Sequence, residues 1–426
     1  MQLLASFPVS IISGRVRFYL PGVLVVTMML LLAGCGGSGS QSGGSSGQGL
    51  ASPSPPSQIN YYLGSNGDIW TVSLDHVNSQ VTGKDITKNG LSLHQPYGSA
   101  AGTFGTAGSF MKFSLNSVPI PPVMTGDPAV GGLGLDIPGR AAMVRFGDIT
   151  NSVVPLIPSQ SCPTISGTAT YLFVTIPSPT WAVQSDVAYG TFQVSVTDQT
   201  WNFSGVSQFT LSGGSPGVAA TPLPAGYCGQ STTGFSVTAA STSNDNPPVA
   251  TVTMGFGPSG FFVEDNGSQQ STPPGVVPSN ALGAGGGAVG MIQPSSPLNT
   301  ANVLAAQYAG FVYEPVATVS TNSVVTQAVS FGCAGTSCPV PPNSTSIVGG
   351  TFPGDDPAQP AKTNVVIDLG AQDATNGLYP QARVTYSGVT FPAVAIVGNP
   401  EGKFVIYALA QDTARDLPAA LYLFQQ

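Results

Sequence analysis

The chain has 426 residues, a formal net charge of −8 and only 7% charged side chains, although 42% of its residues are hydrophobic. Soluble proteins ordinarily carry about 25% charged residues, so this surface must be covered by Ser, Thr, Asn, Gln and Gly, while the apolar content excludes disorder driven by charge. With 11 Lys and Arg against 19 Asp and Glu, no basic patch of the size nucleic acid demands can form, and nucleic-acid partners are excluded.

Arg15 and Arg17 precede an apolar run from Phe18 to Leu32, the charged flank and core of a signal peptide. The run is shorter than the ~20 apolar residues of a spanning helix, and no basic stop-transfer cluster follows. Leu32-Ala33-Gly34-Cys35 closes it. This stretch resembles the lipobox of bacterial lipoproteins. The resemblance implies that residues 1–34 are a signal peptide and that Cys35 is acylated, becoming the first mature residue and holding the protein at a membrane. Two or more acyl chains make such anchoring stable. Gly36 stands where enterobacterial lipoproteins retained at the inner membrane carry Asp, which implies the outer membrane of the cell envelope. Residues 35–58 form a Gly/Ser tether, stiffened at Pro53, Pro55 and Pro56, that sets the following domain about 25–30 Å from the acyl group.

Beyond the tether the pattern is β almost throughout. Trp70, Val72 and Leu74 alternate with Thr71 and Ser73. Phe192, Val194 and Val196 alternate with Gln193, Ser195 and Thr197, and after Asp198-Gln199 the pattern resumes at Trp201 and Phe203, a hairpin with one buried face. Ala250, Val252, Met254 and Phe256 repeat the alternation. The tract 269–287, rich in Pro and Gly, reads as a linker dividing a β domain at 59–268 from a second at 288–426. One helix is expected over 297–309, capped by Ser296, opened by Pro297 and ended by Gly310, with Leu298, Ala301, Ala305 and Tyr308 on one face as a plug or lid against a sheet. Ala393 to Val397, a turn at Gly398 to Gly402, and Phe404 to Leu409 form another hairpin, and Leu421 to Phe424 a last strand. The expected class is all-β, with antiparallel barrel or sandwich modules and one short helix.

Apart from Cys35 there are four cysteines, Cys162, Cys228, Cys333 and Cys338. An even number in an exported chain reads as two disulfides. The three connectivities stay open; Cys333–Cys338 with Cys162–Cys228 is favoured because the first two already lie close in sequence. No His lies near them to complete a metal site.

Candidate chemistry is sparse. Gly-x-Ser-x-Gly occurs around Ser45, inside the tether, and around Ser215, where Pro216 removes a backbone N–H an oxyanion hole needs. Ser109-Phe110-Met111-Lys112 fits Ser-x-x-Lys but sits in a strand-like context without its companion motifs. His76 and His94 each stand in a polar turn and read as surface histidines. Glu264-Asp265-Asn266-Gly267, Asp355-Asp356 and Asp373 to Gly377 are oxygen-rich turns without the spacing of a Ca²⁺ loop. Asp75, Glu264, Asp265, Glu314 and Asp368 are available to a glycosidase, which needs two facing carboxylates, but nothing selects a pair. These readings predict no catalytic residue, no cofactor and no metal, and a lipid-anchored, non-catalytic ectodomain for binding, adhesion or envelope organisation. The alternative is a carbohydrate-active hydrolase using paired carboxylates. A small hydrophobic molecule or a glycan is the ligand class left open, the former inside a barrel. So few ionisable groups also predict a stability that varies little with pH.

Overall fold

The computed structural model describes residues 60–65, 69–85, 100–116, 130–137, 139–146, 153–158, 165–176, 188–197, 200–211, 226–231, 234–240, 251–257, 260–265, 288–318, 321–332, 345–351, 363–370, 376–386, 388–412 and 417–426. They form three closed, antiparallel, eight-stranded barrels in which each strand pairs with its neighbours in sequence. The first contains β1 (Asn60–Ser65), β2 (Ile69–Asp75), β3 (Gln80–Asp85), β4 (Ala100–Ala107), β5 (Phe110–Asn116), β6 (Val130–Ile137), β7 (Ala141–Phe146) and β8 (Val153–Pro158). It closes by pairing β1 with β8. The second contains β9 (Thr168–Thr175), β10 (Ala188–Thr197), β11 (Thr200–Thr210), β12 (Gly226–Ser231), β13 (Gly234–Ala240), β14 (Thr251–Phe256), β15 (Phe261–Asp265) and β16 (Ala288–Ile292), and closes by pairing β16 with β9. After the helix α1 (Thr300–Ala305), the third contains β17 (Tyr308–Thr318), β18 (Thr321–Phe331), β19 (Ser346–Thr351), β20 (Thr363–Asp368), β21 (Leu378–Tyr386), β22 (Val389–Gly398), β23 (Val405–Asp412) and β24 (Leu417–Gln425). Pairing of β17 with β24 closes it. Closure removes the strand edges that would otherwise invite intermolecular pairing.

Period-2 alternation sends one set of side chains inward on every strand. In the first barrel Val72, Leu74, Val81, Phe113, Val144, Val154 and Leu156 meet in the interior. In the second, Tyr171, Phe173, Phe192, Trp201, Phe203 and Phe256 do so, with Trp201 and Phe256 ring centroids 4.7 Å apart. In the third, Val329, Ile347, Ile367, Val384, Ala395, Ala408 and Leu421 belong to one cluster. An eight-stranded barrel is about wide enough for its own side chains to fill, and these side chains occupy the described interior positions.

The hairpin expected from Phe192 to Phe203 is β10–β11, with Thr197 opposite Thr200. That from Ala393 to Leu409 is β22–β23, with Gly398 opposite Val405. Two expectations are corrected. The tract 269–287 lies outside the described residues, but the strands on either side of it, β15 and β16, pair directly from Phe261↔Met291 to Glu264↔Ala288. It therefore connects two strands of one barrel, and the β region from 59 onward holds three modules where the sequence suggested two. Pro/Gly composition marks chain that leaves a sheet, not which sheet it rejoins.

The helix is also shorter than expected. Asn299, not Ser296, caps it: Asn299 Oδ1 accepts from Ala301 N at 3.0 Å and Asn302 N at 3.4 Å. Its buried residues are Val303 and Leu304, while Ala301 and Ala305 are exposed. Val303 and Leu304 join the interior cluster of the third barrel, with Leu298 and Ala306 packed alongside, and Tyr308 Oη donates to Val303 O at 2.7 Å. The helix thus packs against the third barrel, as a plug or lid would, but through a different face from the one expected. Gly310 lies inside β17, where a Cβ would fall 1.9 Å from Tyr422 O. Glycine is there for close backbone approach, not helix termination.

The outward faces of the three barrels share a further core. Phe110, Leu135 and Ile157 of the first, Leu172, Val174, Phe261 and Met291 of the second, and Phe311, Ile396, Tyr407 and Tyr422 of the third form one buried cluster. Phe110 meets Phe311 edge-on at 5.6 Å, and Phe261 lies 6.4 Å from Tyr407. Arg145 of β7, only 8% exposed, holds its guanidinium carbon 5.9 Å from the Phe311 ring centroid.

Candidate functional site: the mouth of the first barrel

The β2–β3 turn, residues 75–80, is built by its own side chains. Asp75 Oδ1 accepts from Val77 N and Asn78 N, each at 3.0 Å, and Asn78 Nδ2 donates to Asp75 Oδ2 at 2.7 Å. These bonds stabilise the Asp75 anion and lower its pKa, the Asn78 side chain contributing most. Ser79 takes a left-handed φ of 53°, and its carbonyl accepts from Phe104 N of β4 at 2.9 Å. The turn is therefore pinned both to itself and to the neighbouring hairpin.

On β2, Val72 and Leu74 point inward, so His76 inherits the interior side at the rim. On β6, Leu133, Leu135 and Ile137 face the shared core, which leaves Asp136 on the interior side. The two meet: His76 Nε2 lies 2.9 Å from Asp136 Oδ2, with side chains 18% and 10% exposed. Phe104 packs against the imidazole edge-on, centroids 5.6 Å apart. The hydrogen bond to Asp136 raises the His76 pKa above the ordinary imidazole value; burial opposes this, and the negative charges of Asp136 and Asp75 add to it. His76 is thus no solitary surface histidine. Its partner lies 60 residues away and was invisible to a search of neighbouring positions. The available signal was one acid among Gly and Leu in Val130 to Ile137.

The other candidates are not brought together. Asp75 is consumed by the turn. Asp368 Oδ1 accepts from Thr345 Oγ1 at 2.5 Å, a tie to the paired neighbouring segment, and from Gly370 N at 3.0 Å, a local turn bond. Glu264 and Asp265 are on β15 and Glu314 on β17, with side chains outside the described residues. Ser109 ends the β4–β5 turn and Lys112 is an exposed residue of β5, so Ser-x-x-Lys is a hairpin here, not the start of a helix. Cys228 lies on β12 opposite Val237. Cys35, Cys162, Cys333, Cys338, His94, Ser45 and Ser215 fall outside the described residues, as does the whole of 1–58. Among the described residues no group of three or more His, Cys, Asp or Glu is placed to hold a metal ion, and no helix is long and apolar enough to cross a membrane.

No protein-family model matches the chain, and no curated protein matches it. Among solved structures the chain is similar to the vaccine antigen Transferrin Binding Protein B from Haemophilus parasuis Hp5, crystallised as a double mutant. The identity is 10% and the TM-score 0.22, over 87% of this chain and 66% of that one. The chain therefore spans slightly less than two thirds of that protein's solved length. At this TM-score the likeness defines neither fold nor activity; the barrel topology stands on its own strand pairings.

Proposed function

We propose that the chain is a lipid-anchored cell-envelope protein, attached through acylated Cys35 at the outer membrane, whose three-barrel ectodomain is non-catalytic and binds through its outer surface in adhesion or envelope organisation. The observation that carries the binding mode is the set of large side chains at the described interior positions. Tyr171, Phe192, Trp201 and Phe256 occupy the second barrel, and α1 contributes Val303 and Leu304 to the core of the third. Large side chains at these positions take up room that a carried hydrophobic molecule would need, which favours recognition on the outside. The anchor and address rest on the lipobox Leu32 to Cys35 and the tether that follows. Oxidised Cys333–Cys338 and Cys162–Cys228 belong to the same reading, since the exported compartment favours disulfides.

The decisive experiment is mass analysis of the mature N-terminus of the full chain expressed in a bacterium. Acylated Cys35 is expected, with Cys35→Ser releasing the protein from the membrane fraction. An unmodified terminus elsewhere overturns the anchor. The non-catalytic half is tested separately, by assaying the purified lipoprotein on polysaccharides. Turnover lost on replacing one Asp or Glu would overturn it in favour of a hydrolase.

A further inference from the structure

We propose that the His76–Asp136 bridge is a pH-set latch on the first barrel: protonated His76 holds the β2–β3 turn across the barrel mouth to β6, and neutral His76, stripped of the charge that strengthens the bond, weakens that hold. The geometry places the bridge where it can act. It joins two rim positions 60 residues apart at 2.9 Å, on strands that are not sheet neighbours. The turn's other fastenings do not depend on the imidazole. Asp75 binds the turn's own amides, and the Ser79 carbonyl binds Phe104 N. Of the ties described for this turn, the histidine bridge alone reaches β6, and it alone changes charge between pH 5 and 8.

The groups acting on the ring are Asp136 from β6, Asp75 from its own hairpin and the apolar Phe104 from β4. Both charged neighbours are acids, so each favours the imidazolium. The sign follows. A histidine whose folded-state pKa is raised stabilises the fold fully below its unfolded value of ~6.5, and the contribution is lost as pH rises through the folded value. The latch is therefore closed in mildly acidic medium and slackens above neutrality. The latch gives the chain a pH-dependent contribution that its sparse charge alone did not suggest.

The test uses the full chain as purified from the expressing cell, in detergent. His76 and His94 are the only histidines, so ring-proton NMR gives at most two titrations. The expected result is one histidine titrating clearly above ~6.5, its signal absent from His76→Gln. Amide exchange across Val72 to Val81 should be on the order of threefold to tenfold slower near pH 5.5 than near pH 8.5, after correction for intrinsic exchange. In Asp136→Asn that ratio should collapse to about one. If neither histidine titrates above ~6.5 the latch is overturned, and this readout needs no variant to fold. An unchanged exchange ratio in a folded Asp136→Asn overturns it equally.

Discussion

At the scale of single residues, the tyrosines dominate what alkali would do. Tyr171, Tyr308, Tyr379, Tyr407 and Tyr422 all have pKa values raised by burial, which penalises the phenolate. In the unfolded chain they ionise near ~10. The folded protein thus holds protons the unfolded one gives up, and this stabilisation is complete below ~10 and lost as pH climbs above it. Spectrophotometric titration should show these phenols ionising only together with unfolding; smooth ionisation in an intact fold would contradict their burial. A second residue-scale expectation concerns Gly310. Its missing side chain lets β17 approach β24 with the Cβ position 1.9 Å from Tyr422 O, an atom of the backbone that cannot swing away. Gly310→Ala should cost about 1–3 kcal/mol as overpacking, read as a lowered denaturation midpoint.

Elements show why some strands alternate cleanly and others do not. Gln193 and Ser195 of β10 face away from the buried Phe192 and Val194, and the strand shows the expected dyad. The run from Ala393 to Gly398 is buried at every position. Its odd positions point into the third barrel and its even ones into the shared core. Continuous apolar runs mark strands buried on both faces, and β8, buried throughout, is another. The helix α1 has only six residues and is too short to stand alone. Its stability comes from Val303 and Leu304 in the barrel and from the Asn299 cap. Leu304→Ala should cost about 2–4 kcal/mol and Asn299→Ala about 1 kcal/mol. Both should appear in thermal melts with the far-UV β signal of the folded state unchanged, and a negligible loss from Leu304→Ala would show that the helix lies on the barrel without plugging it.

For the molecule as a whole, the shared core decides whether three barrels behave as three or as one. Phe110, Phe261, Phe311, Met291 and Tyr407 bring all three into a single buried cluster. Domain interfaces permit independent motion unless they are large and apolar, and this one is apolar. Calorimetry should therefore show one dominant unfolding transition. Phe311→Ala removes a ring that meets both Phe110 and the Arg145 guanidinium. It should cost about 3–5 kcal/mol and broaden or split the transition as the barrels uncouple. Three separate transitions in the unaltered protein would show that the barrels fold independently despite the contact.

The sequence by itself determined the all-β class, because period-2 alternation is a local property of the chain. Phe192 to Phe203 and Ala393 to Leu409 were legible for that reason, as was the helix near Thr300. It likewise carries Leu32-Ala33-Gly34-Cys35, the adjacent residues whose resemblance to a lipobox underlies the proposed anchor. Tertiary structure alone decided the number of barrels, since no pattern within 269–287 says that β15 and β16 pair across it. It alone decided why Gly310 is glycine, because the atom it avoids belongs to Tyr422, 112 residues later in sequence. The His76–Asp136 bridge is of the same kind. A hydrogen bond between distant strands depends on barrel closure bringing two positions of one rim together, and closure is a property of the whole sheet that no short stretch of sequence encodes.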